Sequence, residues 1–583
     1  MADTPASTHS RFGADTVYLN GHIVTLDRGN LIASAVAVRS GLFVAAGSDN
    51  AVRRHIGSAT AVVDLEGRTV VPGFVDGHAH MDREGLKFLL PSMAGARSIA
   101  DVLTVVRRAA ESREAGQWVV TMPIGDHPEF LGAGHTLREK RYPNRWELDS
   151  VAPDNPVYIK APWYYWNNDT PMVSVANSRA LGLANISRST TSPHSGIRIV
   201  TDSSGDPTGV FEEVGPIGTV EHTLMSVVPK FDSAARLRAL RDSMRRYNAA
   251  GTTSVYEGHG VAPEVIEAYQ RLSRAGEASV RSHLVVSPSW DARGNRSHRE
   301  TLDEVVALQT ETVDDQMLSI GGIHLEVAAS ATHLLENARG LDSDWAGFRV
   351  DSVLPPDQAT LLELMCECVD RGLRVNLIAH DEETLDQHLS ALTSLASARA
   401  IGDRRFVLQH LSVVRDDQLA TLKRLGVHTT IVPGTTMWRH GLRRTQGLDP
   451  RRVDEYLPLR SFIEHDVPFA FSTDNVPVEP LKSIWAAVAR IDEATKTVVG
   501  EGQILTRLEA LMAFTVAGAY LTFEEAVKGS IEVGKLADFA VLSRDLLRAP
   551  TEELPDIEVV STVVGGRQVH NVDDEIPDEE SHG

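Results

Sequence analysis

The middle of the chain alternates short apolar runs, rich in β-branched residues, with longer amphipathic stretches. The runs are Thr253–Glu257, Val280–Ser287, Ser319–Ala328, Leu373–His380, Arg405–Leu411, Val427–Val432 and Pro468–Asp474, and their make-up predicts strands. Between them, Ala235–Asn248, Leu361–Val369 and Thr384–Ala398 have the apolar spacing of helices that bury one face. An earlier run, Thr69–Val75, leads into His80. With it there are eight strand–helix units in succession, which predicts a (β/α)8 barrel. Such a barrel carries its chemistry at the C-terminal ends of its strands. His80, Glu257, His324, His380, His410 and Asp474 fall at those ends.

The two termini have a different texture. Val17–Leu19, His22–Leu26, Ala35–Val38 and Leu42–Gly47 read as short strands, with Asn20-Gly21 predicting a hairpin turn. Asp538–Leu542 and Ile557–Val564 match them, followed by a Gly565-Gly566 turn. One small β-sandwich domain is therefore expected from residues 16–70 with 530–572, and the barrel from 71–529. About 170 residues separate the first two barrel strands, far more than a strand–helix connection needs. They predict an inserted subdomain over about 85–245, lying across the barrel mouth. Its aromatic run Trp163-Tyr164-Tyr165-Trp166 suits either subdomain core or an apolar wall for an aromatic substrate. Residues 1–15 and the acidic stretch 573–583 read as frayed tails.

Composition narrows the function. The 583 residues carry 57 basic and 79 acidic side chains, a net charge of −22, which argues against nucleic acid as a partner. The two cysteines, Cys366 and Cys368, fall two apart on a predicted helix. That spacing is poor for a disulfide and suits buried thiols in a reducing compartment. Residues 1–15 lack the basic start and apolar centre of a signal peptide, and no window reaches the ~18 apolar residues of a membrane span. A cytoplasmic protein, without a membrane partner and with a homodimer as the default assembly, is expected.

His78-Ala79-His80 is the strongest chemical signal. On a strand, residues two apart share a face, so the two imidazoles begin a transition-metal site. Alone, the pair fits a polar strand end equally well. His380, His410 and Asp474 each close a later strand, and the four features in barrel order point to a metal-dependent hydrolase.

The same residues carry a resemblance to the metal-dependent amidohydrolase superfamily, in its YtcJ-like branch, which includes N-substituted formamide deformylases. The matching segments are Val71–His80, Asp154–Val157, Asp206–Val210, Ala249–Val255, Gly321–Ile323, His380-Asp381, Gln409-His410, Ser472–Val478 and Gly534–Asp538. The resemblance implies His78, His80, His380 and His410 as metal ligands, and Asp474 as ligand and general base. It implies one or two divalent ions, zinc first, and hydrolysis of a non-peptide C–N bond: amide, formamide, carbamate or cyclic amide. A deaminase on the same barrel, or a catalytically silent metal-binding barrel, are the alternatives; retention of Asp474 beside the histidines speaks against the silent one.

One departure matters. Where relatives carry a carboxylated lysine on the fourth strand, this chain has His324, with Glu326 on the same face. Either residue could replace the lysine as a ligand, or the site could hold one ion. Glu257 and His259 end the second strand and suit substrate contact or the orienting of a ligand. His283 suits the core or pocket, and Asp76 and Asp381 a supporting role.

Overall fold

The computed structural model describes residues 13–574, apart from 129, 131–132, 163–170, 215–218, 291–296, 312–315, 328–352, 355–356 and 380. Eight parallel strands form its central sheet: β1 (Phe74–Asp76), β2 (Thr252–Val261), β3 (Arg281–Val286), β4 (Leu318–His324), β5 (Val375–Ile378), β6 (Val407–Gln409), β7 (His428–Ile431) and β8 (Phe469–Phe471). They follow chain order around the sheet. The two edges meet where Gly77 N–H donates to the Phe471 carbonyl (3.0 Å) and Asp474 N–H to the His78 carbonyl (2.9 Å). The expected (β/α)8 barrel is borne out. Most strands are buried along their whole length, as parallel strands under a helical ring must be. Helices Ser233–Ala249, Gln358–Asp370 and Glu382–Ala398 stand where the amphipathic stretches predicted them.

A six-stranded sheet draws on both ends of the chain. Thr69–Pro72 pairs antiparallel with Phe539–Leu542, and Val559–Val564 and Arg567–Asn571 extend that side. A four-stranded sheet, including Thr16–Leu19 and Ala35–Arg39, accompanies it. The Asn20-Gly21 hairpin is corrected here. Thr16–Leu19 pairs with Ala35–Arg39 in one sheet, whereas His22–Val24 pairs with Thr69–Pro72 in the other. The turn carries the chain between sheets, because the apolar partners of each strand lie elsewhere. Arg281 of β3 makes a buried bidentate pair with Asp538 (2.7 and 2.9 Å), fastening the barrel to the two-ended sheet.

Between β1 and β2 lies a five-stranded sheet ordered Ile197–Thr201, Pro207–Glu213, Met172–Ala176, Val157–Ile159, Val119–Thr121, with its own apolar clusters. The chain enters this region through Met81–Phe88. Gly85 lies against helix Ser233–Ala249, where a Cβ would come within 2.0 Å of the Ala239 carbonyl. Buried Lys87 pairs with Glu84 (2.7 Å) and donates to the Asn475 carbonyl (2.8 Å), tying the entry to the segment after β8. Cys366 and Cys368 are both free. Among the described residues no helix is long and apolar enough to cross a membrane.

The barrel interior is partly polar, with a measurable consequence. His428 is buried against Tyr520, and burial, then Arg374, depresses its pKa to about 3. The unfolded imidazole titrates near ~6.5. Between those values the unfolded chain binds a proton that the folded chain does not, so His428 stabilises the fold above the window and loses that contribution as pH falls through it. His428→Gln is expected to flatten stability against pH by about 1.4 kcal/mol per unit below pH ~6.5. Urea unfolding of metal-stripped protein reads this; equal slopes for the two proteins would contradict the assignment.

Candidate metal centre

β1 ends on Asp76, and the chain then passes through Gly77 to the two histidines. A Cβ on Gly77 would lie 2.9 Å from the Phe471 carbonyl, so the close approach of β1 and β8 requires glycine there. The Asp76 carboxylate accepts from His78 N–H (3.1 Å), Thr473 N–H (3.0 Å) and the Thr473 hydroxyl. One buried carboxylate thus pins the end of β1 to the end of β8. Burial pushes Asp76 up to about 7, against the lowering effect of those hydrogen bonds.

Glu257 on β2 clamps the next turn. Its Oε2 accepts from His80 N–H (3.0 Å), and its Oε1 from Met81 N–H (2.7 Å) and the Tyr269 hydroxyl (3.1 Å). Burial, then the neighbouring Asp82 carboxylate, raises Glu257 above the usual carboxylate range. The Tyr247 hydroxyl donates to the Ala79 carbonyl, and Asn475 Nδ2 to the His80 carbonyl (3.3 Å). The His78–His80 backbone is thereby held at each residue. Of the two expected roles of Glu257, substrate contact or the orienting of a ligand, these bonds fit the second, since both oxygens hold the turn that carries His80.

The rings converge. His78 Nε2 lies 3.0 Å from His80 Nε2 and 3.0 Å from His410 Nε2. Asp474 Oδ1 lies 3.1 Å from His80 Nε2 and 3.5 Å from His78 Nε2. All four side chains are buried. The donor atoms of His78, His410 and Asp474 fall within 4.8 Å of one another, as do those of His78, His80 and His259. Burial holds His78 and His80 well below the ordinary imidazole range, helped by His259 at His78 and by Arg83 at His80. Both rings are therefore neutral near pH 7, the form with a lone pair to offer a metal.

Three strand-end residues hold left-handed backbone: His80 (φ 55°), His410 (φ 63°) and Asp474 (φ 53°). Each costs on the order of 1 kcal/mol and turns the chain sharply where a donor must face inward. Strain gathered at three such positions marks a functional site.

The residues present fit a divalent transition metal. The separations among the His78, His80 and Asp474 donors, 3.0, 3.1 and 3.5 Å, match the roughly 3.3 Å edge of a tetrahedron with bonds of about 2.0–2.1 Å. Neutral imidazoles and one carboxylate suit zinc and its first-row neighbours.

Other expected residues divide. His259 joins the cluster. His324 is buried one ring further out, its centroid 4.9 Å from that of His259, and joins none of the donor groups among the described residues. Glu326 lies on a two-residue strand, and its side chain is outside the described residues. His380, Trp163, Tyr164, Tyr165 and Trp166 are also outside them. Asp381 caps helix Glu382–Ala398 by accepting from Thr384 N–H (2.7 Å). His283 contacts the Ser319 hydroxyl (2.8 Å), and burial depresses it to about 4.

Sequence reasoning missed Asp82, Arg83 and Gln409. Asp82 groups with His80 and Glu257, Arg83 donates to His80 Nδ1, and Gln409 contacts His78 Nδ1. The unusual run of charges after His80, all buried, was the available signal for the first two.

A model of the amidohydrolase family matches residues 61–570. The chain belongs to that family. N-substituted formamide deformylase of Arthrobacter pascens is 26% identical over 562 residues, covering 95% of this chain and 97% of that protein. An uncharacterized metal-dependent hydrolase of Pyrococcus horikoshii has the same fold, with TM-score 0.67 at 21% identity over 92% of this chain and 99% of that one. A zinc-bound adenosine deaminase of Xanthomonas campestris follows at TM-score 0.51 and 13% identity, over 96% and 93%. The expected superfamily is borne out, and with it a hydrolase of carbon–nitrogen bonds.

Proposed function

We propose that this amidohydrolase cleaves a non-peptide C–N bond of a small molecule, with formamides and amides ahead of carbamates and cyclic amides. The observation that carries the reading is the gathering of three donors around His78 Nε2: His80 Nε2 and His410 Nε2 at 3.0 Å each, and Asp474 Oδ1 at 3.5 Å. These four would hold one divalent ion, zinc first, with His380 as a further ligand from the end of β5. When bound, the ion supplies Lewis acidity, bringing the pKa of a water toward ~7 and polarising the scissile carbonyl.

Asp474 does the proton work. Its carboxylate takes the proton of the attacking water and delivers it to the leaving nitrogen, so the amine departs neutral. Buried Asp76 holds Thr473 beside it and keeps the carboxylate in register with His78. His259, partly exposed beside the two histidines, would meet substrate. To ligate through Nε2, His80 would carry its ring proton on Nδ1, the nitrogen that now accepts from Arg83; the Asp82 and Glu257 carboxylates belong to the same donor group as this imidazole.

The formamide deformylase, alike over nearly the whole chain, supports formamides as the first class to test. Amine release is measured over N-substituted formamides, amides, carbamates and cyclic amides, with and without aromatic substituents, using zinc-loaded enzyme. Turnover of at least one class, abolished by chelation, is expected. Turnover confined to esters or aminopurines would contradict the proposal.

A further inference from the structure

We infer that Gln409 is a positioning residue that sets the tautomer of His78, an inference that rests on His78 being a metal ligand. Gln409 is fully buried at the end of β6, one residue before His410. Both ends of its amide are engaged. Nε2 donates to the Gly258 carbonyl at 2.7 Å. A carbonyl can only accept, so the amide's NH2 must lie on that side. The remaining end, Oε1, faces His78 Nδ1. An amide oxygen cannot donate, so His78 Nδ1 carries the ring proton and Nε2 is left as a lone pair. That lone pair faces the Nε2 atoms of His80 and His410.

Gly258 makes the arrangement sterically available, since a Cβ there would lie 2.6 Å from Gln409 Oε1. The amide links three strands: β6, which carries it, β2 through Gly258, and the His78 turn after β1. His80 is arranged oppositely. Its Nδ1 meets the guanidinium of Arg83, a group with donors only, so that ring's proton lies on Nε2, toward Asp474 Oδ1 at 3.1 Å. The two histidines of the motif are thus unequal, and His78 is the one preset to receive a cation. Partners of this kind fix ring orientation and tautomer in metal sites, and their loss weakens metal binding by about 10- to 100-fold.

The test is zinc affinity, measured by chelator competition on the full chain. Gln409→Met keeps the length of the side chain and removes the acceptor; Gln409→Glu keeps an oxygen facing Nδ1. Gln409→Met is expected to bind zinc 10- to 100-fold more weakly, with the melting temperature of the metal-free protein close to that of the parent. Gln409→Glu is expected to stay within about threefold of the parent, because a buried, protonated carboxyl accepts from Nδ1–H through one oxygen and donates its O–H to the Gly258 carbonyl through the other. Parent-like affinity in Gln409→Met would overturn the inference, as would equal weakening in both variants, which marks packing alone. If Gln409→Met does not fold, Gln409→Glu decides: tight binding supports the role, and a tenfold loss removes it. His78→Ala separates the two levels. Parent-like zinc affinity there sinks the ligand assignment itself, whereas zinc lost in His78→Ala but kept in Gln409→Met sinks only the role of Gln409.

Discussion

Asp474→Asn is expected to keep the fold and lower turnover by roughly a thousandfold or more. The substitution preserves size, and the Asp474 N–H bond to the His78 carbonyl is made by backbone and survives. What disappears is a carboxylate able to take a proton. Positioned general bases contribute about 10² to 10⁴ in rate, and a weaker metal contact through the amide adds to the loss. The check is kcat on the best substrate of the panel, beside a thermal melt. A variant that turns over like the parent would remove Asp474 from the mechanism; one that no longer melts cooperatively would indicate a structural role instead.

His78→Ala should abolish stoichiometric zinc binding. His78 Nε2 is the hub of the cluster, 3.0 Å from each neighbouring imidazole and 3.5 Å from Asp474. Removing it deletes a donor shared by two of the three donor groups among the described residues. The loss should exceed the 10- to 100-fold that follows from disturbing a supporting partner. His324→Ala is the contrasting case. His324 packs edge-on against His259 and belongs to none of those groups, so its removal should leave zinc per chain unchanged. Metal analysis of the two variants side by side tells them apart. A His324→Ala protein that loses its metal would restore His324 to the place of the bridging lysine.

The barrel was legible because its strands are apolar runs, most of them rich in β-branched residues, and because parallel strands bury both faces. His78, His80, His410 and Asp474 stood out because they end such runs, where a polar residue has no packing reason to be. The role of His259 was harder to see, since β2 runs on through Glu257-Gly258-His259-Gly260 to Val261. Glycines alternating in a strand signal close approach. Here they admit the Gln409 amide at Gly258, and Ser287 and His324 at Gly260. Gln409 itself was quoted only as the neighbour of His410, because its contact with His78 spans 331 residues. The left-handed backbone at His80, His410 and Asp474 leaves no trace in sequence, since none is a glycine. The Asn20-Gly21 turn misled for a related reason: local chemistry favours a hairpin, but the choice of sheet depends on where the apolar partners lie.

Metal dependence of C–N hydrolysis is tested most directly by stripping the enzyme with a chelator and titrating zinc back while amine release is followed. Activity should vanish on stripping and return in proportion to zinc bound at the His78, His80, His410 and Asp474 cluster, with the titration flattened in His78→Ala. Full activity in protein shown to be free of metal, or recovery that His78→Ala shares with the parent, would contradict the account.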